Sequence, residues 1–176
     1  MSRLEIGLTQ LRVWDHALCV RCNRAMRVPL FRATLRVASR LGNGVFWYAL
    51  MLALLAVDGA NGVRPVAHMA ATGFVCTLLY KWLKSKTSRP RPYAVVSAVR
   101  AGADPLDAFS FPSGHTLHAV AFSIVALAYY PALAWLVVPF TALVAASRVV
   151  LGLHYPSDVL AGAAIGALIA RLSLLA

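Results

Sequence analysis

Residues 111–116 read FPSGHT and residues 147–158 read SRVVLGLHYPSD, and between these blocks the chain is apolar with almost no charge. The blocks carry His115, Arg148, His154 and Asp158. Ionisable groups at the edges of apolar spans are costly to desolvate and mark functional-site candidates. Pro131 divides the apolar stretch into two predicted spans, Ser113–Tyr130 and Ala132–Val150, with Pro112 expected at the first helical position of the former. Downstream, the short connection Leu151–Pro156 leads to a further span, Ser157–Leu175, whose N-terminus suits Ser157 or Asp158. Gly162 and Gly166 in it form a small-x3-small face for close helix packing.

Upstream, Val66–Leu83 reads as another span, with His68 near its start and Lys81 and Lys84 at its end. Val45–Val57 is a shorter apolar run that must recruit flanking residues to reach the ~20 that a span needs. Gly42-Asn43-Gly44 before it reads as a turn requiring unusual backbone angles. Leu8, Leu11, Trp14, Leu18 and Cys22 recur at helical spacing, and Pro29 breaks or restarts that helix. Eight arginines lie between Arg3 and Arg40. At mid-membrane depth each would cost about 2.5–3.5 kcal/mol, so an interfacial position is expected. Arginine also interrupts any signal-peptide apolar core.

Composition agrees with a bilayer protein: 60% of residues are apolar and only 13% are charged. A net charge of +11 would suggest nucleic acid for a soluble chain, but here the excess is concentrated in the N-terminal segment and one loop. Anionic lipid is the expected partner, and no nucleic acid is expected. The expected fold is all-α: an integral membrane helical bundle of about five transmembrane helices plus an N-terminal interfacial amphipathic helix. Residues 1–43 form the interfacial segment and 44–176 the bundle. Cys19 and Cys22 make a lone C-x-x-C; without a second ligand pair they read as ordinary helix-surface cysteines.

Counting spans brings the end of Val66–Leu83, the loop Ser85–Ser110, the start of Ser113–Tyr130 and the turn before Asp158 to one membrane face. The N-terminal arginines share it. Lys84, Arg91 and Arg148 there can hold an anion such as a phosphoryl group, whose transition state spreads charge over three oxygens. Ser113-Gly114 offers helix N-terminal N–H groups. His154 and His115 remain for nucleophilic and proton-transfer chemistry, and Asp158, four residues after His154, can orient its ring. Asp104 and Asp107 read as solvated loop charges, and Lys81, Lys86 and Arg89 as headgroup contacts. His118 reads as a packing or supporting residue near His115, and His68 as a surface residue at the opposite end.

Three blocks, Lys-x6-Arg-Pro from Lys84, Pro-Ser-Gly-His from Pro112 and Ser-Arg-x5-His-x3-Asp from Ser147, resemble the signature of the type 2 phosphatidic acid phosphatase family. Bacterial acid phosphatases and vanadium haloperoxidases share that superfamily. The resemblance implies that His154 is the nucleophile, Asp158 its partner and His115 the acid/base. It further implies that Lys84, Arg91, Ser113, Gly114 and Arg148 hold phosphate, with no metal and no cofactor. The implied substrate is a phosphorylated membrane lipid: phosphatidylglycerol phosphate, phosphatidic acid or a polyprenyl phosphate or diphosphate. The implied location is a bacterial inner membrane. Many relatives place the site in the periplasm, whereas the arginine distribution favours the cytoplasm. The alternatives are a vanadate-dependent haloperoxidase and a non-enzymatic transporter or scaffold.

Overall fold

A computed structural model of the chain describes residues 3–175, with backbone alone for Arg3, Leu4 and Leu8, so the readings of Arg3 and Leu8 as face residues lie outside the described residues' side chains. Its regular structure is helical: α1 (Arg3–Asn23), α2 (Pro29–Arg40), α3 (Phe46–Asp58), α4 (Ala60–Thr87), the single turn α5 (Pro92–Val95), α6 (Gly114–Tyr129), α7 (Ala134–Val150) and α8 (Pro156–Ser173). The all-α expectation holds. Three stretches, Pro29–Asp58, Pro131–Val150 and Pro156–Ser173, are long and apolar enough to cross a membrane, and Gly114–Tyr129 is a shorter apolar helix. α4 has 28 residues, about 42 Å of helix, but His68, Thr72, Thr77 and Lys81 make it more polar.

Pro29 restarts the helix as expected, following an extended Val28. Gly42-Asn43-Gly44, however, does not end it. Helical bonding continues through Leu41–Val45 as a wide π-type segment, and Gly44 alone takes φ +122° and kinks the chain. Such a φ is readily open to glycine. The kink sits at Gly44, and α2 and α3 run through it as one helical stretch.

Pro112 differs from expectation too. It lies two residues before α6, in a cis peptide bond with Phe111, and Ser113 takes the N-cap position. α8 does begin on a proline, Pro156. Its N-cap is Tyr155 rather than Ser157 or Asp158, and Asp158, the third helical residue, closes a capping box: its Oδ2 accepts the Tyr155 N–H at 2.8 Å, a carboxylate on the positive end of the helix dipole.

The core lies among α3, α4, α6, α7 and α8 around Trp47, Met69, Leu117, Phe122, Val137 and Val144. α6 and α8 pack backbone to backbone, as the small-x3-small face predicts. A Cβ on Gly162 would sit 2.6 Å from the Ser113 carbonyl oxygen, and one on Gly166 would overlap that of Leu117. Replacing Gly166 by leucine is therefore expected to lower the melting temperature of the detergent-solubilised protein. The overpacking cost is about 1–3 kcal/mol or more, because backbone cannot move aside as a side chain can. At the far end, His68 is a linker rather than a surface group: Nδ1 lies 3.0 Å from the Tyr129 hydroxyl and Nε2 2.8 Å from Ser173 Oγ.

α1 is helical, as its spacing predicts; of its apolar positions Leu11 is exposed and Trp14 is 70% exposed, while Cys22 packs against the cluster around Leu35 and Leu151. The buried line is Asp15, Cys19 and Asn23, which packs against α7 and α8. A polar line can be buried when its hydrogen bonds are met. Asn23 Nδ2 donates to the carbonyls of Arg100 and Val150 at 2.9 and 3.0 Å. Cys19 is likewise not on the surface. It packs 3.8 Å from the His154 carbonyl oxygen, and burial pushes its thiol up to about 12, an unreactive environment.

Candidate active site

Lys84 lies in the last turn of α4 and Arg148 in that of α7, His115 is the second residue of α6, and the loop between α7 and α8 carries His154. Their ends converge on one cavity of about 840 Å³. Of the eight residues singled out in the sequence, six line it: Lys84, Arg91, Gly114, His115, Arg148 and His154. Ser113 and Asp158 stand one layer behind. The Ser113 hydroxyl lies 3.0 Å from Thr116 Oγ1, and its N–H donates to the Asp158 carbonyl at 3.0 Å.

His154 has a defined tautomer. Its Nδ1 lies 2.6 Å from the Ser110 carbonyl oxygen, which can only accept, so Nδ1 carries the proton. Its Nε2 lies 3.2 Å from Arg91 Nη1, which can only donate, so Nε2 presents a lone pair. Burial, then the charges of Arg91 and Arg148, hold this imidazole well below its ordinary 6.5. A neutral ring with its lone pair turned into a cation-lined cavity can attack an electrophilic phosphorus.

Asp158 does not take the Nδ1 proton directly. Its Oδ2 is 3.8 Å from that nitrogen, beyond hydrogen-bond reach. It instead accepts from Tyr155 N and, at 2.6 Å, from Arg89 Nη1. It thus fixes the turn that carries His154 rather than the ring itself. Arg89, far from being a headgroup contact, also reaches Asp15 Oδ2 at 2.7 Å and lies 4.0 Å over the Tyr155 ring. Asp15 accepts the Ser157 N–H at 3.0 Å. The N-terminal helix is bolted to the His154 turn through this buried carboxylate.

The cations differ in their partners. Arg148 is buried, and its Nε and Nη1 have no hydrogen-bond partner among the described residues. Lys84 and Arg91 are held by Asp107, which is therefore not a solvated loop charge. His115 Nε2 bonds Asn43 Oδ1 in the α2–α3 kink. His118 supports the start of α6, with Nδ1 2.8 Å from the Gly114 carbonyl oxygen and Nε2 3.0 Å from Thr77 Oγ1. Below these polar groups the cavity is apolar, walled by Trp47, Met51, Phe74 and Phe122. Trp47 Nε1 is buried there without a partner among the described residues.

Asn43, Asp107, Ser110, Asp15 and Arg89 escaped the sequence reading. One signal was present: the chain has only six acidic residues against 17 basic. Three of them, Asp15, Asp107 and Asp158, touch arginine or lysine around this site.

Helices apolar enough to cross a membrane here bring buried cations and two imidazoles together at one end, an arrangement chemically suited to an anion. The model of the PAP2 superfamily matches residues 62–176, and the chain belongs to that superfamily. It is 33% identical over 114 residues to undecaprenyl-diphosphatase BcrC of Bacillus subtilis (strain 168), covering 64% of this chain and 58% of that protein. It is 32% identical over 140 residues to decaprenylphosphoryl-5-phosphoribose phosphatase of Mycobacterium tuberculosis (strain ATCC 25618 / H37Rv), covering 79% and 76%. The aligned part thus spans under two thirds of the Bacillus relative. Aquifex aeolicus LpxE superposes with a TM-score of 0.79 at 27% identity, over 91% of this chain and 94% of that one. The transmembrane PAP2 type phosphatidylglycerolphosphate phosphatase from Bacillus subtilis does so at 0.73 and 24%, over 94% and 85%, a likeness of fold.

Proposed function

We propose that the protein is a metal-independent lipid phosphatase that works through a phosphohistidine. In this reading His154 Nε2 attacks the phosphorus, forming a P–N bond as the P–O bond to the lipid breaks, and His115 gives a proton to the departing oxygen. Water then attacks the phosphohistidine and loses its proton to His115, the P–N bond breaks, and inorganic phosphate leaves. Lys84, Arg91 and Arg148 neutralise the phosphoryl oxygens together with N–H groups at Gly114. Ser113 and Asp158 act from behind, by fixing the α6 start and the His154 turn. The observation that carries the reading is Arg148: a buried guanidinium whose Nε and Nη1 have no partner among the described residues, lining the same cavity as His154. Burying such a charge is costly unless an anion joins it.

The substrate class follows from the cavity and from the relatives. An apolar wall below a cationic mouth suits a phosphate carried on a lipid chain. Both curated relatives are named for polyprenyl-linked substrates, so a polyprenyl phosphate or diphosphate is the first candidate, ahead of phosphatidic acid and phosphatidylglycerol phosphate. In this proposal five helices span the bilayer: α3 with residues before its kink, α4, α6, α7 and α8. α1 and the start of α2 lie at the interface, with Trp14 and Leu30 toward lipid. Arg24, Arg27, Arg32 and Arg100 surround a second cavity of about 380 Å³ at that end, which suits contact with anionic headgroups. The positive-inside rule then places the site on the cytoplasmic side of a bacterial inner membrane.

Phosphate release from purified protein across a panel of these lipids tests the activity. Release from no lipid phosphate in the panel would reject it. Sidedness is tested by an impermeant thiol reagent on Lys86→Cys in intact cells, since Lys86 is exposed whereas Cys19 is buried. Labelling without permeabilisation would put the site outside.

A further inference from the structure

Two of the cations that line the cavity already hold an anion. Asp107 Oδ1 lies 2.6 Å from Lys84 Nζ and 2.8 Å from Arg91 Nη2, and Oδ2 lies 2.7 Å from Lys84 Nζ. A carboxylate bridging a lysine and an arginine makes the charge-assisted contacts that two phosphate oxygens would make. Lys84 and Arg91 are only 6% and 3% exposed. Two like charges so buried need a counter-charge whenever the site is empty.

Asp107 is well placed to leave. Its side chain is 37% exposed, and the loop that carries it is anchored on either side, among other contacts by Gly102 N–H to the Leu151 carbonyl and Ser110 N–H to the Arg89 carbonyl. Rotating one partly exposed side chain withdraws the carboxylate without breaking either anchor, a ps–ns class of motion at a surface. Lys84 and Arg91 stay in place, because Lys84 Nζ also donates to the Phe109 carbonyl at 3.0 Å and Arg91 Nε to the Asp107 carbonyl at 2.9 Å.

We propose that Asp107 is an internal occupant of the phosphate site, exchanged for the substrate's phosphoryl group, and that it weakens phosphate binding enough for the product to leave. This rests on the site reading given above. A ligand that must displace an occupant binds more weakly by the fraction of sites left open. If Asp107 holds the cations in nine molecules of ten, every phosphate loses about tenfold in apparent affinity. A lipid ester recovers that by burying its chain against Trp47, Met51 and Phe74. Inorganic phosphate has no such compensation, so the returning carboxylate helps expel the product.

The test is inorganic phosphate binding to the full-length, detergent-solubilised chain in the His154→Ala background, followed by phosphate-dependent thermal stabilisation. Adding Asp107→Asn is expected to tighten binding about tenfold, and in the His154-containing enzyme to lower the phosphate inhibition constant about tenfold as well. Asp107→Glu, which keeps the charge, is expected to stay weak. Asp107→Ser replaces Asp107→Asn should that variant not fold. Unchanged or weaker binding in the charge-removed variant would overturn the proposal, the weaker result meaning that Asp107 only positions the two cations. Arg148→Met separates the two readings. If phosphate binds and Arg148→Met abolishes it while Asp107→Asn changes nothing, only the Asp107 role falls. If phosphate binds none of the variants, the site reading falls and takes this inference with it.

Discussion

Substituting His154 by alanine is expected to reduce phosphate release by at least about 10³-fold, the scale seen when a covalent nucleophile is removed from a unit that acts together. The tautomer explains why no neighbour can substitute. Nδ1 keeps its proton and donates it to the Ser110 carbonyl, and Nε2 accepts from Arg91 Nη1, so the ring's single lone pair is on Nε2, and His154 lines the cavity. Asp158→Asn, in contrast, is expected to cost less in rate than His154→Ala and more in stability. Its carboxylate holds Arg89 and the Tyr155 N–H rather than the imidazole. Melting temperature and kcat measured on both variants check this; equal losses of activity at unchanged stability would restore a direct Asp158–His154 contact.

The same histidine sets a pH signature. Its folded value lies well below the ordinary 6.5 because it is buried beside Arg91 and Arg148. The neutral, reactive form therefore persists as pH falls through 6.5, and the acid limb of kcat/KM is expected only at lower pH. Stability runs the same way. Between the folded and unfolded values the unfolded chain binds the extra proton, so stability rises with pH there. The contribution is fully present above 6.5 and is lost as pH falls toward the folded value. An acid limb at 6.5 or above in wild type would contradict this assignment.

How far the sequence could reach follows from what its pattern encodes. Apolar runs between prolines located α6, α7 and α8, because a span must satisfy its own backbone and cover itself with apolar side chains. The three motif blocks located six cavity-lining residues, since each sits at a helix end whose position a span count fixes. Orientation about a helix axis was another matter. In α1 the spacing marks an apolar stripe on an arginine-rich interfacial helix, but nothing in it marks the packed face, which is the line of Asp15, Cys19 and Asn23. Spacing alone also missed contacts made across long loops. Asp107 reaches Lys84 and Arg91, and Ser110 offers a backbone carbonyl, which no side-chain motif records. Gly42-Asn43-Gly44 correctly marked an unusual backbone; that it kinks a continuing helix and brings Asn43 to His115 depends on α3 packing against α6 and α7.

Replacing Arg148 by methionine should separate function from stability with opposite signs. Arg148 Nε and Nη1 are buried without partners among the described residues, so in the substrate-free protein the guanidinium is a desolvated charge held for another purpose. Removing a buried, uncompensated charge in favour of an apolar side chain of similar length is neutral or stabilising, and active sites are where such destabilisation is retained. The melting temperature of Arg148→Met is therefore expected to match or exceed wild type. Its activity is expected to fall about 10²–10³-fold, the loss typical of one preorganised donor to a developing anion. Added inorganic phosphate should raise the melting temperature of wild type and leave Arg148→Met unmoved, because ligand linkage acts only through the bound state. A variant that is both inactive and markedly less stable would mean that Arg148 holds the fold together, and the cation would then have to be sought among Lys84 and Arg91 alone.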